Sequence, residues 1–179
     1  MNLLNDKMIV LGVSGGIAAY KACDLASKLR QEGAEVTVVM TDAAQRFVSP
    51  LTFQSLTHRP VITGLFSPIE EWEIEHIAIA QRASLAVIAP ATANIIGKIA
   101  HGIADDFLTT FVLATRAPVV LCPAMNCEMY ANQVVQENLE RLRARGFHIV
   151  EPEEGALACG DVGKGRLAKL EIIMQYVLS

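Results

Sequence analysis

The sequence predicts a doubly wound α/β fold with a mostly parallel sheet, and three features predict it. Short β-rich runs alternate with helical patterns along the 179 residues. Most of those runs are continuously apolar instead of alternating, as strands covered on both faces must be. Glycine, proline and other turn residues separate them, with no internal repeat or low-complexity tract. The length suits one domain, so residues 1–179 are read as a single unit.

Met8 to Val13 reads as the first strand. Ala18, Ala22, Leu25 and Leu29 then recur at helical spacing, and Gly33 closes that helix. Val36 to Met40 is the second strand. Ser49 before Pro50 gives a helix N-cap followed by proline at the first helical position. Leu85 to Ala89, Val119 to Cys122 and His148 to Val150 complete the strands. Asn132 to Arg145 is a helix with Leu139 and Leu142 on one face and Gly146 after it, and Leu170 to Val177 closes the fold.

Composition excludes several function classes. A net charge of -4 with both signs spread along the chain argues against nucleic acid as a partner. No apolar run approaches the roughly 20 residues of a membrane span, and residues 1–7 lack a signal peptide's pattern. A cytoplasmic protein is expected. Cys23, Cys122, Cys127 and Cys159 form no CxxC pair and the histidines lack ligand spacing, so neither disulfides nor a metal site is expected. The hydrophobic fraction of 52% is high enough for buried strands plus a subunit interface.

Ligands of such sheets bind beyond the carboxyl ends of the strands, so the loops there carry the functional reading. After the first strand stands Gly12-Val13-Ser14-Gly15-Gly16-Ile17, where glycines let a backbone approach an anion at a helix start. A tight strand-to-helix turn needs the same glycines. The pattern is not GxGxxG, which supports a nicotinamide dinucleotide poorly, although Asp42 after the second strand would suit its ribose. After the third strand comes Pro90-Ala91-Thr92-Ala93-Asn94, where Thr92 or Asn94 also reads as a plain helix cap. After the fourth comes Pro123-Ala124-Met125-Asn126-Cys127-Glu128-Met129-Tyr130. Two asparagine amides converging on one crevice suit a carboxylate or the edge of a flavin ring. Between Gly155 and Arg166 four glycines predict a mobile lid, with Cys159 inside it. His76 precedes a short helix, and on pattern alone a surface histidine is the plainer reading. Phe53 and Trp72 read more readily as packing than as flavin stacking.

Together these motifs resemble the homo-oligomeric flavin-containing cysteine decarboxylases, over nearly the whole chain from Met8 onward. Gly12 to Lys21 looks like their flavin loop, Pro90 to Asn94 like their PASANT motif, and Pro123 to Met129 like their PxMNxxM motif. His76 stands where their active-site histidine stands, and Leu157-Ala158-Cys159-Gly160-Asp161 with Gly163 and Gly165-Arg166 resembles their substrate clamp. Tyr130 stands where many relatives have tryptophan, and Thr92 where some have serine.

The resemblance implies a Rossmann-like flavoprotein fold, bound FMN, and a trimer or a dodecamer built from trimers. It implies FMN contacts from Ser14, Gly15, Gly16, Thr41, Phe53, Thr92 and Asn94. It implies catalytic roles for three residues: Asn126 on the substrate carboxylate, His76 in oxidation and decarboxylation, and Cys159 as the final proton donor. Lys21, Met129 and Arg166 are expected to meet substrate. The clamp points to phosphopantothenoylcysteine as substrate, decarboxylated through a thioaldehyde and an enethiolate to phosphopantetheine in coenzyme A biosynthesis. A C-terminal peptidyl cysteine, or a flavin-binding regulatory subunit without catalysis, are the alternatives. Many bacterial relatives continue into a synthetase domain, and this chain stops before one, so a stand-alone enzyme or an excised domain is expected.

Overall fold

The computed structural model describes residues 3–65, 75–156 and 162–179, without the side chains of Glu75, His76 and Ala156. Five parallel strands form the main sheet: β1 (Met8–Val13), β2 (Glu35–Met40), β3 (Leu85–Ala91), β4 (Val119–Pro123) and β5 (His148–Ile149). Their spatial order is β2-β1-β3-β4-β5. The chain therefore leaves β1 towards one edge and returns at β3 towards the other. The loops after β1 and β3 diverge at that reversal and open a crevice beyond the strand ends.

Alternation along the strands sends side chains to two layers of helices. Ile9, Leu11 and Val13 face the layer of α1 (Lys21–Gln31), α2 (Pro50–Thr57) and α8 (Leu170–Leu178). Met8 and Val10 face the layer of α3 (Glu75–Arg82), α4 (Ala93–His101), α5 (Phe107–Ala114) and α7 (Gln133–Ala144). Both faces are covered, which accounts for the unbroken apolar runs. Gly12 lets α5 lie close on the sheet: a Cβ there would stand 2.6 Å from Leu108 Cδ1, so the Leu108 side chain would have to shift.

Helix boundaries follow local chemistry. Ser49 Oγ accepts from the Leu51 amide with Pro50 at the first helical position, and Asn132 Oδ1 caps α7 by accepting from the Val134 amide. Gly33 and Gly146 take positive φ (91° and 88°) after α1 and α7. Several elements escaped the sequence, among them the two that shape the site. One is α5, whose start is fixed by a reciprocal cap between Asp106 and Thr109. The other is the frame of the segment expected to form a lid: Gly155, Gly163 and Gly165 lie in an antiparallel ribbon of β6 (Glu153–Ala156) and β7 (Val162–Arg166). Residues 157–161, with Cys159 and Gly160, lie outside the described residues, as does Trp72. Among the described residues no helix is long and apolar enough to cross a membrane.

Candidate functional site

The crevice at the β1/β3 reversal is a cleft of about 1170 Å³. Ligand pockets typically hold about 300–1,000 Å³, so this one has room for a cofactor and a substrate side by side. Its walls include the loop after β1, the loop after β2, residues 63–65, the start of α4, the turn into α5, the loop from β4 into the short α6 (Cys127–Ala131), and the end of β7.

Ser14, Gly15, Gly16 and Lys21 line it after β1, Thr41 after β2, Thr92 and Asn94 after β3, and Asn126 and Met129 after β4. Arg166 reaches it from β7. Residues spaced across most of the chain thus meet because four of the loops that carry them leave the same end of one parallel sheet, with β7 adding Arg166. Phe53 does not join them. It is fully buried beneath the sheet with α1 and α8, which corrects the expectation that it lines the cleft. An aromatic on the inner face of α2 gains more from burial than a rim position would give it. His76 belongs to the first turn of α3, but its side chain, like the whole of Cys159, lies outside the described residues.

The loop after β1 is tied to the loop after β3 by Ser14. Its hydroxyl donates to the Pro90 carbonyl at 2.7 Å and accepts from the Thr92 amide at 3.0 Å. The amide groups of Gly15 and Gly16 donate to no acceptor within the described residues. They sit at the entrance of the helical segment that starts at Ile17, where an anion is well placed. A Cβ at Gly16 would meet only Thr92 Cγ2, at 3.6 Å, so that face of the loop is open to a ligand.

Both capping readings hold alongside the cleft positions. Thr92 Oγ1 caps α4 by accepting from the Ile95 amide at 3.4 Å, and Asn126 Oδ1 caps α6 by accepting from the Glu128 amide at 2.8 Å. Each cap therefore fixes its own side chain at the cleft wall. The ribbon β6–β7 braces the Asn126 loop from outside. The Met125 amide donates to the Gly165 carbonyl at 2.9 Å. Only glycines allow this approach: a Cβ at Gly165 would stand 2.3 Å from the Met125 carbonyl oxygen, and one at Gly163 2.7 Å from Cys127 Cβ.

Sequence reasoning missed a charged cluster on the cleft wall. Lys98 Nζ contacts both carboxylate oxygens of Asp105 at 2.8 Å and approaches Asp106 at 4.0 Å. The hydrogen bond from Lys98 holds the Asp105 carboxyl below the usual range. Lys98 is thereby neutralised, which leaves Lys21 and Arg166 as the cleft cations outside any ion pair among the described residues. Asp42 also lines the cleft, where its carboxylate accepts from Gln45. Cys23, Cys122 and Cys127 are free thiols, and burial pushes the Cys122 thiol up, as expected of an inert core cysteine.

The chain matches the family described as Flavoprotein over residues 2–179. The coenzyme A biosynthesis bifunctional protein CoaBC of Bacillus subtilis is 54% identical over 173 residues, which are 97% of this chain and 43% of that protein. The chain thus spans about two fifths of the length of that relative. Among solved structures, a PPC decarboxylase mutant complexed with pantothenoylaminoethenethiol superposes with a TM-score of 0.84 at 30% identity, covering 96% of each chain. The FMN-dependent cysteine decarboxylase SpaF gives a TM-score of 0.84 at 32% identity, covering 96% of this chain and 95% of that one.

Proposed function

The chain belongs to the flavoprotein family, and on that premise we propose that it binds FMN and decarboxylates phosphopantothenoylcysteine to phosphopantetheine, a step of coenzyme A biosynthesis. The observation that carries this reading is the convergence of the glycine loop, the Thr92–Asn94 segment and the Asn126 loop on one cleft at the β1/β3 reversal. The residues present suit FMN. The unpartnered amides of Gly15 and Gly16 would hold its phosphate, and Thr41, Thr92 and Asn94 would flank it, with Ser14 keeping the two loops in register.

When bound, FMN supplies the reversible two-electron oxidation next to the substrate sulfur, without which loss of CO₂ would leave an unstabilised carbanion. The chain supplies position and protons. Asn126 holds the substrate carboxylate at the α6 entrance. His76 acts in the oxidation and decarboxylation half, as base or as orienter, and Cys159 returns a proton to the enethiolate. Lys21 and Arg166 offer charge to the substrate's anionic groups, and Met129 offers an apolar wall. The unsaturated thiol held by the similar PPC decarboxylase mutant supports an enethiol on the path.

The same proposal takes residues 1–179 as one flavin-binding decarboxylase domain, acting in the cytoplasm as a homo-oligomer, a trimer or a dodecamer. Exposed apolar side chains that line the cleft support association, with Ile17 62% and Tyr20 57% exposed.

The test is direct. Heat-released ligand is identified by mass, and CO₂ release is measured with phosphopantothenoylcysteine and with a peptide ending in cysteine. FMN together with release from the first substrate supports the proposal. A nicotinamide dinucleotide, no ligand, or release from the peptide alone overturns it.

A further inference from the structure

A second side-chain cluster lies outside the cleft and gathers on Glu151, between β5 and β6. Three elements reach it. From α6 the Tyr130 hydroxyl donates to Oε2 at 2.8 Å, and from β7 Lys164 Nζ donates to the same oxygen at 2.6 Å. From α7 Arg143 donates to Oε1. The Lys164 ammonium also stands 5.4 Å from the centre of the Tyr130 ring, within cation–π range. Burial works to raise the Glu151 carboxyl, but the bonds from Lys164 and Tyr130 and the charges of Lys164 and Arg143 together leave it below the usual range.

This cluster and the cleft share β7. Lys164 turns to Glu151, while Gly165 accepts from the Met125 amide and Arg166 lines the cleft. Tyr130 is linked to the same place from the other side, since its amide donates to the Asn126 carbonyl at 2.9 Å. A two-stranded ribbon has marginal stability by itself, so its position depends on such outside contacts.

We infer that Glu151 is a positioning residue: by clasping Tyr130 and Lys164 it sets where β7 lies on the Met125–Asn126 loop, and hence where Asn126 stands in the cleft. The inference deepens the proposed function and rests on Asn126 holding the substrate carboxylate. Single ion pairs this exposed (Glu151 48%, Lys164 49%) contribute little. Here one carboxylate gathers three donors, so the ordering of its side chain serves all three contacts.

Hydrogen exchange at the Met125 amide, measured on the full chain as purified, reads the clasp without any assay of turnover. Glu151→Gln and Glu151→Ala should each speed that exchange roughly fivefold, with FMN affinity unchanged. Unaltered exchange in both variants overturns the inference. A kinetic cycle then tests the link to Asn126. Glu151→Ala should raise KM roughly fivefold in the native background and leave it unchanged once Asn126 is alanine, because coupled residues are not additive. Equal effects in both backgrounds would make Glu151 a general stabiliser and overturn the link. If the native chain releases no CO₂, the proposed function fails, while the Met125 exchange still decides the clasp.

Discussion

Ser14 and Pro90 join the two loops that diverge at the sheet reversal, through a buried hydrogen bond of 2.7 Å from the Ser14 hydroxyl to the Pro90 carbonyl. The same oxygen accepts from the Thr92 amide, so one side chain aligns the glycine loop with the start of α4. At 2% exposure its proton is committed to the fold. Ser14→Ala should leave the Thr92 amide without a partner, at a cost of about 1–3 kcal/mol. Urea unfolding should show that loss, and titration should show weaker FMN binding. A variant with native stability and affinity would mean that the tie does not shape the cleft.

Gly15 and Gly16 separate two effects that a single glycine substitution would mix. A Cβ at Gly15 would stand 2.3 Å from Ala43 Cβ and 2.8 Å from its carbonyl carbon, and backbone cannot step aside. Gly15→Ala should therefore destabilise the chain by about 1–3 kcal/mol through overpacking. Gly16→Ala meets only Thr92 Cγ2 at 3.6 Å and should fold normally. Weak FMN binding in that second variant would come from blocked approach of the ligand to the loop. Normal FMN affinity in Gly16→Ala would remove the phosphate from this loop.

The strands were legible because a parallel sheet covered on both faces demands continuous apolar runs, and Val10, Val38, Val87 and Val120 all lie in such runs. Caps at Ser49 and Thr92 were legible because each is a local contest for one or two amides. What stayed hidden depends on distant partners. In α5 the buried Phe107, Leu108, Phe111 and Val112 do follow helical spacing, but polar Thr109 is buried with them and apolar Leu113 is exposed, which blurs the pattern in so short a segment. The glycines of β6–β7 read as flexibility because glycine is poor in strands. For Gly163 and Gly165 the reason is the approach to Cys127 and Met125, which no local window contains. Of the cleft residues, those directly after strands were found. Lys98 was not, since its pairing with Asp105 spans a loop and looks like surface charge.

Glu151 also predicts a pH response with a definite sign. Its folded carboxyl lies below the unfolded value, so its contribution is present above that value and is lost as pH falls through the folded one. The facing groups are Lys164, Tyr130 and Arg143, with Glu140 sharing Arg143. Burial first, and then Glu151, push the Tyr130 phenol up to about 12, far above the range in which the Glu151 carboxyl titrates. Unfolding measured from pH 7 to pH 3 should lose less stability in Glu151→Gln than in the native chain. Parallel curves for the two proteins would show that the clasp contributes no pH-dependent stability.

Asn126→Asp isolates charge from structure. Aspartate caps a helix as well as asparagine does, so the bond to the Glu128 amide and the α6 entrance should persist. In a closed site a second carboxylate beside the substrate carboxylate repels it with little screening by water. The variant should keep its FMN and its unfolding midpoint while CO₂ release collapses, and Asn126→Ala should be milder. Native activity in Asn126→Asp would place the substrate carboxylate elsewhere.

Cys159 tests the division of labour between oxidation and reprotonation. It lies in sequence between β6 and β7, and β7 ends at Arg166 on the cleft wall. If Cys159 only protonates the enethiolate, Cys159→Ser leaves the first half of the reaction intact. A thiol has an unperturbed pKa of about 8.5, and a serine hydroxyl is a far weaker acid. The variant should oxidise and decarboxylate phosphopantothenoylcysteine and then stall, with the two removed hydrogens retained by the cofactor under anaerobic conditions. Mass spectrometry should find a product lighter than phosphopantetheine by two hydrogens, the unsaturated enethiol, in an amount set by the enzyme present instead of by turnover. Full formation of phosphopantetheine would make Cys159 a bystander. Complete loss of CO₂ release would move it into substrate binding or into the first half of the reaction, and His76 would then be the remaining candidate for the final proton.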